Sequence, residues 1–230
     1  MSNFIKHMSC PRCGSKDNLA EYDDHVWCFG CKYHKTKDDV NSLRSRIHKI
    51  DSTKGDLQVL DTVREIPRKA MQWLLSYGIS QEEINEYGIK WSPKQDLLVL
   101  VDRVDYWQGR CFGVTNIKYR SHGNKPLTIY GQGDILILVE DVLSAIKIAR
   151  LRGEFCASPL LGSSLSYAAE KQLIKTYKKI YVWLDRDKAV NAIRIKNKLK
   201  GKGITSKAIV TPLDPKEYSK GELAAWLKNK

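Results

Sequence analysis

Several features that would direct an interpretation are missing from this sequence. No apolar stretch approaches the roughly 20 residues that a membrane-spanning helix needs, and residues 1–7 lack the apolar core of a signal peptide. There is no G-x-x-x-x-G-K-[ST] motif, which excludes a P-loop and a motor built on one. No internal repeat or long low-complexity tract is present. We therefore expect a soluble, cytoplasmic protein without a membrane partner.

Acidic residues are also scarce relative to basic ones. The 230 residues include 39 Lys and Arg but only 26 Asp and Glu, a net charge of +13. A basic excess of this size attracts polyanions and is typical of proteins that bind nucleic acid. A basic protein with an unrelated role is the alternative, which charge alone does not exclude.

Cysteine is present in a pattern. The six cysteines comprise two C-x-x-C pairs and two single thiols: Cys10 with Cys13, Cys28 with Cys31, and Cys111 and Cys156 alone. The fourteen residues between the pairs are enough for a β-hairpin that joins two knuckles into a tetrahedral Cys₄ zinc site. Gly14 and Gly30 are expected to permit the tight turns. A pair of redox motifs is disfavoured, because neither C-x-x-C opens a helix after a thioredoxin-like strand.

A closed four-cysteine site is structural, so its role is to hold a surface. On this ribbon the surface includes aromatic, basic and acidic groups: Asp23, His25, Trp27, Lys32, Tyr33 and Lys35. Such groups suit single-stranded bases, which stack on rings and expose their edges. The alternative, that Trp27 and Tyr33 only fill a very small core, is left open.

The pattern of apolar and polar residues predicts four regions. Residues 1–36 form the zinc ribbon, and the charged residues 37–65 form a linker. Residues 66–133 form an α+β region, with a helix from Pro67 to Gly78 and a second helix that Ser80 begins with a capping box to Glu83. Strands are predicted at 97–101, 110–114 and 116–120, with a turn at 102–109 and a loop at 121–126.

Residues 134–230 alternate between strands and helices. Strands are predicted near 135–139, 154–158, 180–184 and 206–210, helices at 142–152, 166–178 and 188–200, and a last helix at 219–228. Alternation of this kind predicts an α/β fold, a parallel sheet with helices on both faces.

Carboxylates follow the strands of this predicted sheet. Glu140 ends the first apolar run, Asp185 and Asp187 follow the third, and Asp214 lies beyond the last. Any one of them could simply begin a helix, but together they predict a site at the sheet edge where α/β proteins place their chemistry. Asp185 and Asp187 are expected on one side of an extended tip. Crowded carboxylates favour a hard cation such as Mg²⁺, with Glu140 as a ligand or a proton acceptor.

These residues carry a resemblance to a known family. The motifs Leu138-Val139-Glu140, Leu161-Gly162-Ser163-Ser164 and Leu184-Asp185-Arg186-Asp187 are similar to those of a TOPRIM domain, which occurs in DnaG-type primases, topoisomerases, some nucleases and recombination proteins. The segments Trp73-Leu74, Gly78-Ile79-Ser80, Tyr87-Gly88-Ile89, Gln108-Gly109-Arg110 and Lys118-Tyr119-Arg120 resemble the N-terminal half of a primase core. Together with the ribbon, the order resembles a bacteriophage DnaG-type DNA primase over nearly the whole chain.

The resemblance implies an activity and site residues. Such an enzyme copies single-stranded DNA into a short RNA primer from ribonucleoside triphosphates, with Mg²⁺ or Mn²⁺ at the acidic cluster. It implies catalytic roles for Glu140, Asp185 and Asp187, with Asp214 as a further metal ligand. Arg110 and Lys118 would contact nucleotide phosphates or template, or else are solvated charges. His25 would read the template with Asp23 and Trp27. A separate replicative helicase is implied as partner, and the cytoplasm would be that of the host if a phage encodes the chain.

Two departures from the family pattern stand beside the motifs. The residue after the TOPRIM glutamate is normally Gly and here is Asp141, and the Asp common four residues after the glutamate is here Ser144. Asp141 is a candidate replacement for the missing carboxylate. A TOPRIM nuclease and a recombination mediator that binds DNA without catalysis remain the alternatives. Residues 67–133 favour polymerisation over the nuclease, and a zinc site at the start of the chain counts against the mediator.

Overall fold

The computed structural model describes residues 2–36, 60–114 and 117–228. Contacts divide the chain into two compact units, Met1–Gln58 and Val59–Lys230. Most of the predicted linker, residues 37–65, lies outside the described residues. Among the helices of the described ranges, none combines the length and apolar character needed to cross a bilayer.

The first unit contains one antiparallel sheet of four strands within its described residues. The strands are β1 (Phe4–Met8), β2 (Leu19–Tyr22), β3 (His25–Cys28) and β4 (His34–Thr36), and they pair in chain order. Leu19 and Val26 are fully buried against Cys10 and Cys28. So small an apolar cluster is a weak core, and two of the four cysteines, Cys10 and Cys28, are part of it.

The second unit opens with two short helices, α1 (Arg68–Ser76) and α2 (Gln81–Glu86). The capping box predicted for α2 is confirmed: the Glu83 N–H donates to Ser80 Oγ at 3.3 Å, and the Ser80 N–H donates to the Glu83 carboxylate at 2.8 Å. Leu74 on α1 and Ile84 on α2 are buried in the main core of this unit.

An antiparallel sheet follows, with strands β5 (Lys90–Ser92), β6 (Leu97–Arg103), β7 (Tyr106–Cys111) and β8 (Tyr119–Gly123) in that order. The predicted turn at 102–109 is wrong, since only residues 104 and 105 form it. Polar residues at the end of β6 suggested a turn, yet they continue the ladder to the buried aromatic residues that begin β7. The third strand also begins later than 116–120, so the predicted loop at 121–126 is partly strand.

The predicted α/β fold of the C-terminal region is confirmed. Four parallel strands, β9 (Ile135–Val139), β10 (Phe155–Pro159), β11 (Lys179–Val182) and β12 (Thr205–Ala208), lie in the order β10-β9-β11-β12. The helices are α3 (Val142–Ala149), α4 (Tyr167–Thr176), α5 (Ala189–Lys200) and α6 (Lys220–Lys228).

Alternation along β9 shows how the helices cover both faces of this sheet. Ile137 and Val139 pack into the core that contains α3 and α6, whereas Leu136 and Leu138 pack into the core that contains α4 and α5. Successive side chains of a strand point to opposite faces, so a strand buried on both faces is apolar throughout. Because β9, β11 and β12 are parallel neighbours, the loops that leave their carboxyl ends lie at the same edge of the sheet.

Candidate active site and cysteine metal centre

The four cysteines predicted from their spacing meet at one point. Their sulfur atoms all lie within 4.8 Å of one another, and the Cys10–Cys31 and Cys13–Cys28 sulfur pairs are each 3.7 Å apart. Zinc–sulfur bonds of about 2.3 Å in a tetrahedron place the sulfurs about 3.8 Å apart. The donor set and its spacing therefore fit a structural Zn²⁺ ion.

Backbone turns hold the thiols in this arrangement. In the first knuckle the Gly14 N–H donates to the Cys10 carbonyl at 2.9 Å, with Gly14 at φ +70°. In the second knuckle the residue at positive φ is Lys32, at +57°, and not Gly30 as the sequence suggested. Gly30 instead allows close approach, because a Cβ there would lie 3.1 Å from the Asn18 side-chain nitrogen.

One face of the ribbon carries a row of rings. The His25 imidazole is stacked on Tyr22, with centroids 4.5 Å apart and ring planes 7° from parallel, and it lies 5.4 Å from His34. Trp27 is half-buried, and its ring lies 5.9 Å from His34. Flat rings of this kind are the groups on which single-stranded bases stack in other proteins.

Asp23 has a different role from its neighbours in this unit. Its carboxylate accepts hydrogen bonds from the backbone N–H and the side-chain amide of Asn3, both at 3.0 Å. These bonds fasten the beginning of β1 to the turn before β3. The Asp24 carboxylate, not that of Asp23, contacts His25, with an Oδ1–Nδ1 distance of 2.6 Å.

At the edge of the parallel sheet, Glu140 follows β9 and Asp185 follows β11. The oxygens Glu140 Oε2 and Asp185 Oδ1 are buried and accept no hydrogen bond from any described residue. Burial raises the pKa of Glu140, and it raises the pKa of Asp185 to about 7 even though Lys216 opposes that shift. Unpaired buried carboxylate oxygens are costly unless a cation or proton joins them.

A lysine that the sequence analysis did not single out lies among the carboxylates. Lys216 Nζ is 2.6 Å from Asp185 Oδ2, 2.9 Å from Asp141 Oδ2 and 3.2 Å from Asp214 Oδ2. Burial alone would lower the pKa of Lys216, but these carboxylates hold it well above its usual value. Burial alone would raise the pKa of Asp214. The hydrogen bond from the Arg186 N–H and the positive charge of Lys216 lower it instead.

The two aspartates of the D-x-D motif diverge. Asp185 is extended, but residues Arg186–Lys188 form a 3₁₀ turn, so the expected extended tip is interrupted. The Asp187 side chain is 72% exposed and forms an ion pair with the adjacent Lys188. Its use as a metal ligand consequently requires a change of side-chain conformation.

Local capping accounts for two other acidic side chains. Asp141 is the N-cap of α3, and its carboxylate accepts the Ser144 backbone N–H at 3.0 Å and the Ser144 hydroxyl at 3.2 Å. The Glu217 carboxylate accepts the Asp214 backbone N–H at 2.8 Å, which closes the turn after β12. Ser144 occupies the position at which the family commonly has Asp. Asp141 contacts Ser144 and adds a carboxylate to the edge close to that position.

The predicted nucleotide contacts lie on the antiparallel sheet. Arg110 on β7 places its guanidinium 4.6 Å from the centroid of the Trp73 ring and 5.6 Å from that of Tyr119. Burial and, after it, the negative charge of Asp141 raise the pKa of Tyr119 on β8. Lys118 is exposed just before β8. Rings surround the Arg110 guanidinium, whereas the Lys118 side chain is exposed to solvent.

The two candidate metal sites differ in how closely their ligand atoms are already arranged around one point. Among the described residues, the cysteines are the one group of three or more His, Cys, Asp or Glu side chains arranged to hold a metal. The acidic edge nevertheless has suitable donor chemistry, since hard carboxylate oxygens suit Mg²⁺ and Mn²⁺. Glu140 and Asp185, with their unpaired oxygens, fit such an ion best.

Comparison with solved structures gives the same architecture. The Aquifex aeolicus primase, with its zinc-binding and RNA polymerase domains, aligns with 99% of this chain and 80% of its own at a TM-score of 0.55 and 16% identity. The fold is that of DnaG-type primases. The Escherichia coli primase catalytic core aligns over 70% of this chain and 75% of its own, with a TM-score of 0.51 and 16% identity.

A DnaG primase catalytic domain solved with single-stranded DNA is also similar, at a TM-score of 0.54 and 15% identity over 70% of this chain and 71% of that one. No protein-family model and no curated protein matches the sequence. The resemblance to DnaG-type primases predicted from the motifs is therefore confirmed at the level of the fold. The narrower resemblance to bacteriophage members stays a prediction.

Proposed function

We propose that this protein is a DNA primase, which copies a single-stranded DNA template into a short RNA primer by metal-dependent nucleotidyl transfer. The observation that carries the proposal is the combination of parts in one chain. A DnaG-like fold spans both the cysteine ribbon and the core, and buried carboxylates with unpaired oxygens lie at the edge of its parallel sheet.

In this proposal the acidic edge binds the triphosphate through Mg²⁺ or Mn²⁺, held by Glu140 and Asp185 with Asp187 and Asp214 as further ligands. When bound there, such an ion would supply positive charge to offset that of the phosphates. As the alternative to ligating the ion, Glu140 would accept the proton of the primer 3′-hydroxyl.

The remaining predicted residues receive substrate roles. Arg110, fixed over the Trp73 ring, would contact nucleotide phosphates or the template backbone, with Lys118 as a weaker electrostatic contact. On the ribbon, His25 and Trp27 would stack on template bases, while Asp23 would support the turn that presents them. A separate replicative helicase is proposed as the partner that supplies single-stranded template.

The test is primer synthesis from labelled ribonucleoside triphosphates on a pool of single-stranded DNA templates, with Mg²⁺ or Mn²⁺. We expect short RNA products from the wild type and none above background from Glu140→Gln or Asp185→Asn. Asp102→Asn is the matched control, because Asp102 pairs with Lys90 on the antiparallel sheet. Shortened DNA would instead indicate a nuclease. Binding without either product, from a zinc-loaded protein with helicase added, would indicate a mediator.

A further inference from the structure

The carboxylates at the sheet edge already contain a cation that belongs to the chain. The ammonium of Lys216 contacts an aspartate from each of three loops: Asp141 after β9, Asp185 after β11 and Asp214 after β12. The ammonium donates hydrogen bonds to Asp141 and Asp185 and forms an ion pair with Asp214. All three of these partners of Lys216 are acidic.

We propose that Lys216 replaces one divalent ion of a two-metal site, so that the acidic edge binds a single exchangeable metal. The inference rests on the proposed function, since polymerases commonly use two ions to clamp the attacking and leaving oxygens. A lysine is a compact point charge and is able to neutralise carboxylates permanently, though it offers no coordination site to a phosphate.

The arrangement is protected from solvent, which separates it from an ordinary surface ion pair. The side chain of Lys216 is 15% exposed, and those of its three partners are 18–25% exposed. Exposed pairs contribute little because water and salt screen them. Carboxylates this close and this shielded repel each other strongly unless a positive charge lies between them.

The backbone around Lys216 is anchored as well. The buried Lys147 of α3 donates to the Lys216 carbonyl at 2.7 Å. Pro215 begins the 3₁₀ turn, and the Asp214–Glu217 capping box closes it. Because the main chain is fixed on both sides of the residue, the ammonium is held in position by the fold and not by the ion pairs alone.

Two carboxylate oxygens at this edge accept no hydrogen bond from Lys216, and they are consistent with one further cation. Lys216 contacts Asp185 through Oδ2, whereas Asp185 Oδ1 and Glu140 Oε2 remain buried without a donor. These oxygens come from neighbouring strands, β9 and β11. In the proposal, one hard ion satisfies these two oxygens on one side of Asp185, and the fixed charge of Lys216 lies on the other side.

The experiment is a count of bound Mn²⁺ on the full-length, zinc-loaded protein, from the electron paramagnetic resonance signal of the free ion. We expect Lys216→Met to bind one more Mn²⁺ per chain than the wild type. Lys216→Arg, which keeps the charge, should bind the wild-type number. Lys90→Met is the control for loss of a lysine paired to a single aspartate. Equal counts for the wild type and Lys216→Met would overturn the proposal, as would two Mn²⁺ ions in the wild type.

Thermal unfolding with and without Mn²⁺ is a second measurement, which tests the proposal even if Lys216→Met folds poorly. Without metal, Lys216→Met and the milder Lys216→Gln should unfold at a lower temperature than the wild type, and Mn²⁺ should restore more of that loss in them than it adds to the wild type. The same response in all three proteins would contradict the inference. Neither measurement depends on RNA synthesis. If the protein makes no primer, the proposed function fails but the metal count still tests the inference. If the protein makes primers and the two metal counts are equal, the inference fails and the proposed function stands.

Discussion

The cysteine cluster and the carboxylate edge are assembled in different ways. The four thiols come from two short knuckles whose backbone hydrogen bonds close within a few residues of each ligand. The carboxylates come from loops that are far apart in sequence and meet only because β9, β11 and β12 lie side by side. One site depends on local turns, and the other depends on the packing of an entire α/β sheet.

The difference agrees with the roles proposed for the two sites. A structural zinc site is closed, with four thiolates that stabilise a unit too small to fold on its own core. A site for phosphate chemistry has to leave metal positions open for substrate, which leaves like charges close together between turnovers. In this chain Lys216 reduces that repulsion. The zinc ribbon therefore needs its metal to fold, whereas the core should not.

Removal of one zinc ligand should produce the largest effect and tests this contrast directly. We expect Cys28→Ser to lose its zinc and the β1–β4 sheet, because structural zinc supplies about 10–16 kcal/mol in small domains. The second unit should keep its own thermal transition. Zinc content and thermal unfolding measure the two outcomes.

Cys111→Ser is the matched control, since Cys111 is a single, half-buried thiol of the other unit. It should retain full zinc. A Cys28→Ser protein that keeps both its zinc and its ribbon signals would remove the distinction between the two sites.

Asp185→Asn should have the next largest effect, on activity and not on folding. Loss of a metal ligand should lower primer synthesis on the order of 100-fold or more. The unfolding temperature should stay close to that of the wild type, because Asp141 and Asp214 still pair with Lys216. Zinc content should be unchanged. Activity within a few-fold of the wild type would exclude Asp185 from the reaction.

The contrast also explains what could be predicted from the sequence. The cysteine ligands follow from spacing within a short segment, and the parallel sheet follows from the alternation of apolar strands with helical periods. The capping box of α2 was predicted for the same reason, because a cap is a local arrangement. The β6–β7 turn was misplaced because Asp102 and Gln108 are polar and yet belong to the strands, where Asp102 is opposite Trp107 and Gln108 is opposite Val101.

The composition of the acidic edge was harder to predict. Lys216 is an ordinary lysine in sequence, and its position among three aspartates depends on where three loops converge. Asp187 looked equivalent to Asp185, but the 3₁₀ turn and Lys188 direct it toward solvent. The signal in the sequence is the basic residue two positions after Asp214, between two acidic residues.

If the carboxylate edge depends on the packing of the whole unit, loss of a partly buried ion pair far from that edge should lower the stability of the core and leave the zinc content unchanged. Arg150, at the end of α3, donates to both Glu83 oxygens at 2.7 and 2.6 Å and to the Gly78 carbonyl at 2.8 Å. We expect Arg150→Met to lower the free energy of unfolding of the second unit by about 2 kcal/mol. Denaturant unfolding checks this value.

Lys69→Met is the comparison for this substitution, because the Lys69–Asp96 pair is exposed. Its cost should be less than about 1 kcal/mol. Similar costs for the two variants would show that the α2–α3 tie contributes no more than a surface contact.

The smallest expected effect concerns the ribbon surface and separates its two interpretations. Trp27 is half-buried beside His34, so it either stacks on template bases or only fills the small core. Stacking predicts that Trp27→Ala weakens binding of single-stranded DNA by about 1 kcal/mol, roughly fivefold, because the rings of Tyr22 and His25 remain. Fluorescence anisotropy measures the affinity, and Ile5→Ala, an exposed apolar residue of β1, should leave it unchanged. A core role predicts the reverse: wild-type affinity in the folded protein, with weaker zinc retention and a lower unfolding temperature of the ribbon. The first role changes the affinity for DNA, and the second changes zinc retention and the unfolding temperature. The two measurements therefore show whether the zinc-bound ribbon presents a binding surface or whether Trp27 only stabilises its fold.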